Sequence, residues 1–145
     1  MSGFSDGATG AFKYFYRFPD KFKGLLLFNG YPQHNNFNKL VDYSRFSNYK
    51  IVFVSQKDDK IIPYEFEMTE FRRQKMTNAN TYFLLVDGKH KFIQYNKKQF
   101  DQCITLLENN QSPELAEHDS TWIFPPVDGL MVNNEVLELY PFRKK

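Results

Sequence analysis

Cysteine is almost missing from this chain, which has one, Cys103. A single thiol closes no intrachain disulfide and offers no zinc-ligand spacing. Cys103 is expected as a small buried apolar side chain. Long apolar runs are missing too: none approaches the ~18 residues of a membrane-spanning helix. No basic-then-apolar signal pattern opens the chain. Charge of one sign is also lacking, with 19 Lys and Arg against 17 Asp and Glu. That balance gives no electrostatic ground for DNA, RNA or an acidic membrane as partner. Internal repeats and low-complexity tracts are absent as well.

What is present is enough for one ordinary domain. A chain of 145 residues buries about 68–70% of its unfolded surface and needs no metal or disulfide to fold. Apolar residues at 41% and charged residues at 25% are globular values, which excludes disorder across most of the length. The surplus is aromatic, with 16 Phe, 9 Tyr and 1 Trp. Such rings mainly build cores; an aromatic-lined pocket or interface is the alternative.

Three short apolar runs stand out: Leu25 to Phe28, Ile51 to Val54 and Tyr82 to Val86. Each is too short for a helix and nearly continuous, as suits parallel strands covered on both faces. Helical spacing lies between them. Ala8, Ala11, Phe12 and Phe15 follow the i, i+3, i+4, i+7 rule, as do Phe100, Cys103, Ile104 and Leu107. Asn96 and Gln99 form a capping box for the second of these. Residues 64–76 place Tyr64, Met68 and Phe71 on one side behind Pro63, and residues 36–44 suit a short helix through Phe37, Leu40 and Val41. The alternation predicts an α/β fold: a short, mostly parallel sheet of about three strands, flanked by helices. No apolar run precedes Gly3, so no strand is expected ahead of it. Residues 111–145 differ from the domain of residues 1–110. Pro113, Pro125, Pro126 and Gly129 punctuate them, and Asn133-Asn134 could turn a small hairpin between Leu130–Val132 and Val136–Leu137. They read as an irregular or hairpin-containing extension.

Polar residues gather just past the runs, where parallel sheets bind ligands. Ahead of the first helical pattern stands Gly3-Phe4-Ser5-Asp6-Gly7, a G-x-S-x-G sequence. A serine on a tight strand-to-helix turn exposes its hydroxyl, and flanking glycines avoid clashes. Backbone N–H groups at the helix start favour developing negative charge. After the second run come Asp58 and Asp59, either of which could hold an imidazole in its working tautomer. After the third comes His90, able to take and return a proton near neutral pH. His34 and His118 are rivals without a matching setting. Asp58, Asp59 and Asp87 lack a liganding pattern, so no metal is expected, and nothing implies a cofactor.

Serine, then aspartate, then histidine, each at the expected end of a strand or its surrogate, is the triad order of α/β-hydrolases, and the chain resembles that superfamily over residues 3–109. Residues 3–8 look like its nucleophile elbow. Val54 to Pro63 looks like its acid loop, G-x-x-D-x-x-V-P, with Gln56 at the glycine and Ile62-Pro63 for Val-Pro. Gly88-Lys89-His90-Lys91-Phe92 looks like its histidine loop. The esterase and dienelactone-hydrolase-like branches are the nearest in flavour.

This resemblance implies Ser5 as nucleophile, His90 as general base and acid, Asp59 rather than Asp58 as orienter, and the Asp6 N–H as an oxyanion donor. It implies a small-molecule ester or acyl substrate. It corresponds to the C-terminal half of the family fold, so truncation at the N-terminus is expected. The family's other oxyanion donor comes from a loop outside this half. The alternative is an inactive fragment or interaction module, self-associating or docking a partner through an exposed sheet edge. Tyr31, Phe37 and Trp122 are candidate apolar wall residues, with core packing as the alternative for each.

Overall fold

The computed structural model describes residues 1–31, 43–75, 80–92 and 97–108. Strand β1 (Ser2–Phe4) leads into helix α1 (Asp6–Arg17), followed by β2 (Gly24–Phe28), β3 (Lys50–Gln56), α2 (Tyr64–Lys75), β4 (Thr81–Val86) and α3 (Lys97–Glu108). The four strands form one sheet in the order β1-β2-β3-β4, every neighbouring pair parallel. The fold is therefore α/β, with a short parallel sheet flanked by helices.

Alternation along each strand sends its residues to two opposite cores. Leu25, Leu27, Ile51, Phe53, Phe83 and Leu85 face α1 and α2, meeting Phe12, Phe15, Met68 and Phe71. Leu26, Phe28, Val52, Val54, Leu84 and Val86 face α3, meeting Cys103 and Leu106. Both faces are covered, which is why these strands read as continuous apolar runs. Among the described phenylalanines, six go into the first core. Phe12, Phe15, Phe46, Phe53, Phe71 and Phe83 are all fully buried there. Truncating one such ring costs about 3–5 kcal/mol.

Helix α1 ends where Pro19 disfavours helical backbone at Phe18; Phe18 has φ −134 and its N–H closes onto the Tyr14 carbonyl at 3.1 Å. Its apolar stripe is the expected one. In α3 the stripe is shifted: Cys103 and Leu106 are buried, Ile104 and Leu107 half-buried, and Phe100 is 37% exposed. Phe100 sits over the end of the sheet and stacks on Phe28, the last residue of β2, with ring centres 5.9 Å apart.

One expectation is corrected. A strand does precede Ser5. It is three residues long and carries no apolar run, so periodicity missed it. Backbone pairing defines it instead: Leu26 N–H donates to the Met1 carbonyl at 2.9 Å, and Ser5 N–H donates to the Phe28 carbonyl at 2.9 Å. Among the described residues the sheet thus has four strands, β1 joining the three that the apolar runs write. Residues 36–42 of the short helix, Asn96 of the capping box and the whole extension, residues 111–145, lie outside the described residues. Tyr43–Phe46 forms a 3-10 turn whose Tyr43 and Phe46 close the first core.

Candidate active site

Three strand ends converge on one point. Ser5 occupies the single residue between β1 and α1, at φ 54 and ψ −125. Positive φ at a residue with a side chain is strained, and such strain persists only where the surroundings enforce it. Here the Ser5 N–H is tied to β2, while its carbonyl accepts from Ala8 N–H at 2.9 Å and Thr9 N–H at 3.3 Å. The turn is tight enough that a Cβ on Gly3 would lie 2.1 Å from the Gly7 carbonyl oxygen. A Cβ on Gly7 would meet nothing within 4 Å. Of the two motif glycines, sterics require only Gly3, which corrects the expectation that both avoid clashes.

Asp59 follows β3 and is buried. Its Oδ1 accepts from Ile61 N–H at 2.8 Å and Ile62 N–H at 2.9 Å. Its Oδ2 accepts from the Asn29 side-chain amide and faces His90 Nδ1 at 2.6 Å. Burial pushes this carboxyl up, but hydrogen bonds from Ile62, His90, Asn29 and Ile61 outweigh it and hold it below its ordinary value of 3.8. An ionised carboxylate only accepts, so Nδ1 carries a proton, and in the neutral imidazole Nε2 is left as acceptor. Ser5 Oγ lies 2.9 Å from that Nε2. The His90 side chain is 13% exposed, and its ring packs against Phe4 at 4.9 Å between centres.

The structure therefore brings Ser5, His90 and Asp59 into one hydrogen-bonded line. Asp6 begins α1, so its own N–H has no acceptor a turn earlier in the helix. Asp58 does not join the line; it is exposed, and its backbone N–H donates to the Gly88 carbonyl at 3.0 Å. Asp87 pairs with Lys57 at 2.9 Å on the surface. Cys103 is buried, and desolvation pushes its thiol up to about 12. Tyr31 is half-buried and stacks on Phe66 at 6.0 Å. His34, Phe37, His118 and Trp122 lie outside the described residues. Among the described residues, no group of three or more His, Cys, Asp or Glu is placed to hold a metal ion. Among them too, no helix is long and apolar enough to cross a membrane.

Sequence reasoning missed a buried polar layer behind this line. Asn29, at φ 44, reaches Asp59 from the end of β2. Next to it, a Cβ on Gly30 would lie 2.6 Å from the Ala8 Cβ and 2.7 Å from the Ser5 carbonyl oxygen. Glu67 of α2 is fully buried, with its Oε2 accepting from the Ser55 hydroxyl. Burial holds the Glu67 carboxyl well above its ordinary value; the Ser55 hydrogen bond opposes this, the Asp59 charge adds to it, and the Gly30 N–H opposes it. Asn29-Gly30 was legible only as a turn ending an apolar run. Nothing in the sequence marks Glu67 as buried.

A serine hydroxyl on an imidazole, itself held by a carboxylate, can lose its proton as it attacks an electrophilic centre. No family model matches the chain, and no curated protein matches it. Among solved structures it is similar to one from Thermoplasma acidophilum described as a predicted CIB-like hydrolase. The two are 15% identical with a TM-score of 0.49, over 72% of this chain and 47% of the other. The chain thus spans about half the length of that neighbour.

Proposed function

We propose that this chain carries the site of a serine hydrolase of α/β-hydrolase type, acting on carboxylic esters or related acyl compounds. The observation that carries the reading is the hydrogen-bonded line from Ser5 Oγ through His90 to Asp59. Its setting supports it: a strained serine between strand and helix, at the carboxyl ends of parallel strands. Ser5 Oγ attacks the acyl carbon while His90 Nε2 takes its proton, and Asp59 stabilises the imidazolium. The Asp6 N–H donates to the carbonyl oxygen as it becomes an oxyanion. His90 then returns the proton to the leaving alkoxide, which departs as alcohol and leaves an acyl-Ser5. Water, deprotonated by His90, attacks that ester, and Ser5 leaves with the proton as the acid is released. In this reading residues 1–110 correspond to the C-terminal half of a hydrolase domain, and residues 111–145 are an extension to it.

The test is fluorophosphonate labelling of the full chain, read by intact mass. Wild type gains one adduct and Ser5→Ala gains none. A folded wild type that takes no label would sink the proposal.

A second reading, an interaction module, is favoured by β1 standing at the end of the sheet, with β2 as its one neighbour among the described strands. A strand supplied by a partner would pair there.

A further inference from the structure

We infer that Gln56 is the positioning residue for His90, its side-chain amide bracketing the backbone of Lys91 and so fixing the loop that carries the imidazole. The inference deepens the hydrolase reading above and rests on it for the role of His90. Gln56 is the last residue of β3 and is fully buried. Its Nε2 donates to the Lys91 carbonyl at 3.1 Å, and its Oε1 accepts from the Lys91 N–H at 3.0 Å. One amide thus satisfies both backbone groups of one residue, the exchange that two residues make in a hydrogen-bonded antiparallel pair. Both bonds fix the same orientation of the amide, since a flipped group would set donor against donor and acceptor against acceptor.

The bracket falls where the backbone pairing of the sheet has ended. Between β4 and His90, backbone bonds fasten the chain: Lys57 N–H donates to the Val86 carbonyl at 2.9 Å, and Asp58 N–H to the Gly88 carbonyl at 3.0 Å. Gly88 then turns at φ 134, and Lys89, Lys91 and Phe92 are exposed. On the far side of His90 the sheet ladder has ended. There the Lys91 N–H, which also approaches the Lys89 carbonyl at 2.6 Å, meets Gln56. His90 thus lies between those backbone bonds and the Gln56 bracket. In the acid-loop pattern the chain resembles, this position is glycine, which has no side chain to form such a bracket.

Moving the imidazole by about 1 Å can cost ~10²-fold in rate. The experiment is proton NMR of the full chain together with the rate of fluorophosphonate labelling at Ser5. The proton on His90 Nδ1, held against Asp59, gives a far-downfield resonance, assigned by its loss in His90→Gln. Gln56→Met keeps the length and removes both bonds; Gln56→Glu keeps the acceptor and loses the donor. The resonance is expected sharp in wild type and in Ser5→Ala, weakened in Gln56→Glu and lost to exchange in Gln56→Met. Labelling slows in the same order, to about 10²-fold in Gln56→Met, while circular dichroism shows the fold retained. If Gln56→Met fails to fold, Gln56→Glu decides alone. An unchanged resonance and rate in a folded variant overturn the inference, as does a folded wild type without the resonance. A wild type that shows the resonance but takes no label removes the hydrolase reading and leaves Gln56 to be judged on the resonance.

Discussion

Asn29 is where one side chain does two jobs. It adopts left-handed backbone at φ 44, and its amide donates to Asp59 Oδ2. Asn29→Gly keeps the backbone permissive and removes the amide, isolating the second job. A hydrogen bond to a charged group contributes about 1.5–3 kcal/mol, and the Asp59 side chain is fully buried. The Asp59 carboxyl is held below its ordinary 3.8, so the stability it contributes is present above that value and lost as pH falls through the folded one. Asn29→Gly should lower unfolding free energy by about 1.5–3 kcal/mol at neutral pH, with the gap to wild type closing in acid. Urea titrations across pH check this, and a gap that does not change with pH would contradict it. Glu67 runs the other way. Its carboxyl is held above 4.5 chiefly by burial. Its contribution is therefore complete below 4.5 and declines as pH rises toward the folded value. Glutamine at this position is neutral throughout. Glu67→Gln should melt with wild type at pH 4 and above it at pH 8. A lower melting temperature than wild type at pH 8 would refute the assignment.

At the scale of the elements, the turn from β1 into α1 makes unequal demands on its glycines. A Cβ on Gly3 collides with backbone, at 2.1 Å from the Gly7 oxygen and 2.7 Å from the Ala8 nitrogen. Backbone cannot step aside as a flexible side chain can, so Gly3→Ala must push β1 away from α1 and distort Ser5 between them. Gly7 lies in the first turn of α1 with open space around its Cβ position. Alanine is the better helix former by about 0.8–1.0 kcal/mol. Gly7→Ala should therefore raise the melting temperature slightly and Gly3→Ala lower it sharply, as calorimetry on the two variants would read. Equal effects would refute the steric argument. The same turn marks the limit of what sequence conveys. Strands β2, β3 and β4 were legible because burial on both faces writes a continuous apolar run. Strand β1 was not, because three residues of which only Phe4 packs against the core write no pattern. Ser5 could be singled out by its G-x-S-x-G motif, and Asp59 and His90 because each stands just past an apolar run. Their partners Asn29, Gln56, Ser55 and Glu67 could not, since packing between distant elements decides which buried polar groups meet.

At the scale of the molecule, the described strands form a sheet with two ends, and the β1 end is the short one. Met1 O and Ser5 N–H bond to β2. The alternation of a ladder then turns the backbone groups of Ser2 and Phe4 outward. A strand pairing there would gain a handful of hydrogen bonds, each worth about 0.5–1.5 kcal/mol net. Association costs at least about 4 kcal/mol, and by some accounts far more. Edge pairing alone therefore offsets at most the lowest of these costs, and a stable complex must also bury apolar surface. The surface on offer is next to the edge: Phe92, 47% exposed, lies 5.7 Å from the Phe4 ring. Two copies meeting only along β1 make a weak pair, whereas a partner that brings a strand and covers these rings makes a stable one. In sedimentation at micromolar concentration the chain should run as a monomer of 17.3 kDa. Ser2→Pro removes an outward N–H and no bond to β2, so proline is tolerated there, and it should leave mass and melting temperature unchanged. A stable dimer that survives both Ser2→Pro and Phe92→Ala would place the self-contact elsewhere on the surface. A dimer abolished by Ser2→Pro alone would mean that the hydrogen bonds of this edge are worth far more than their usual share.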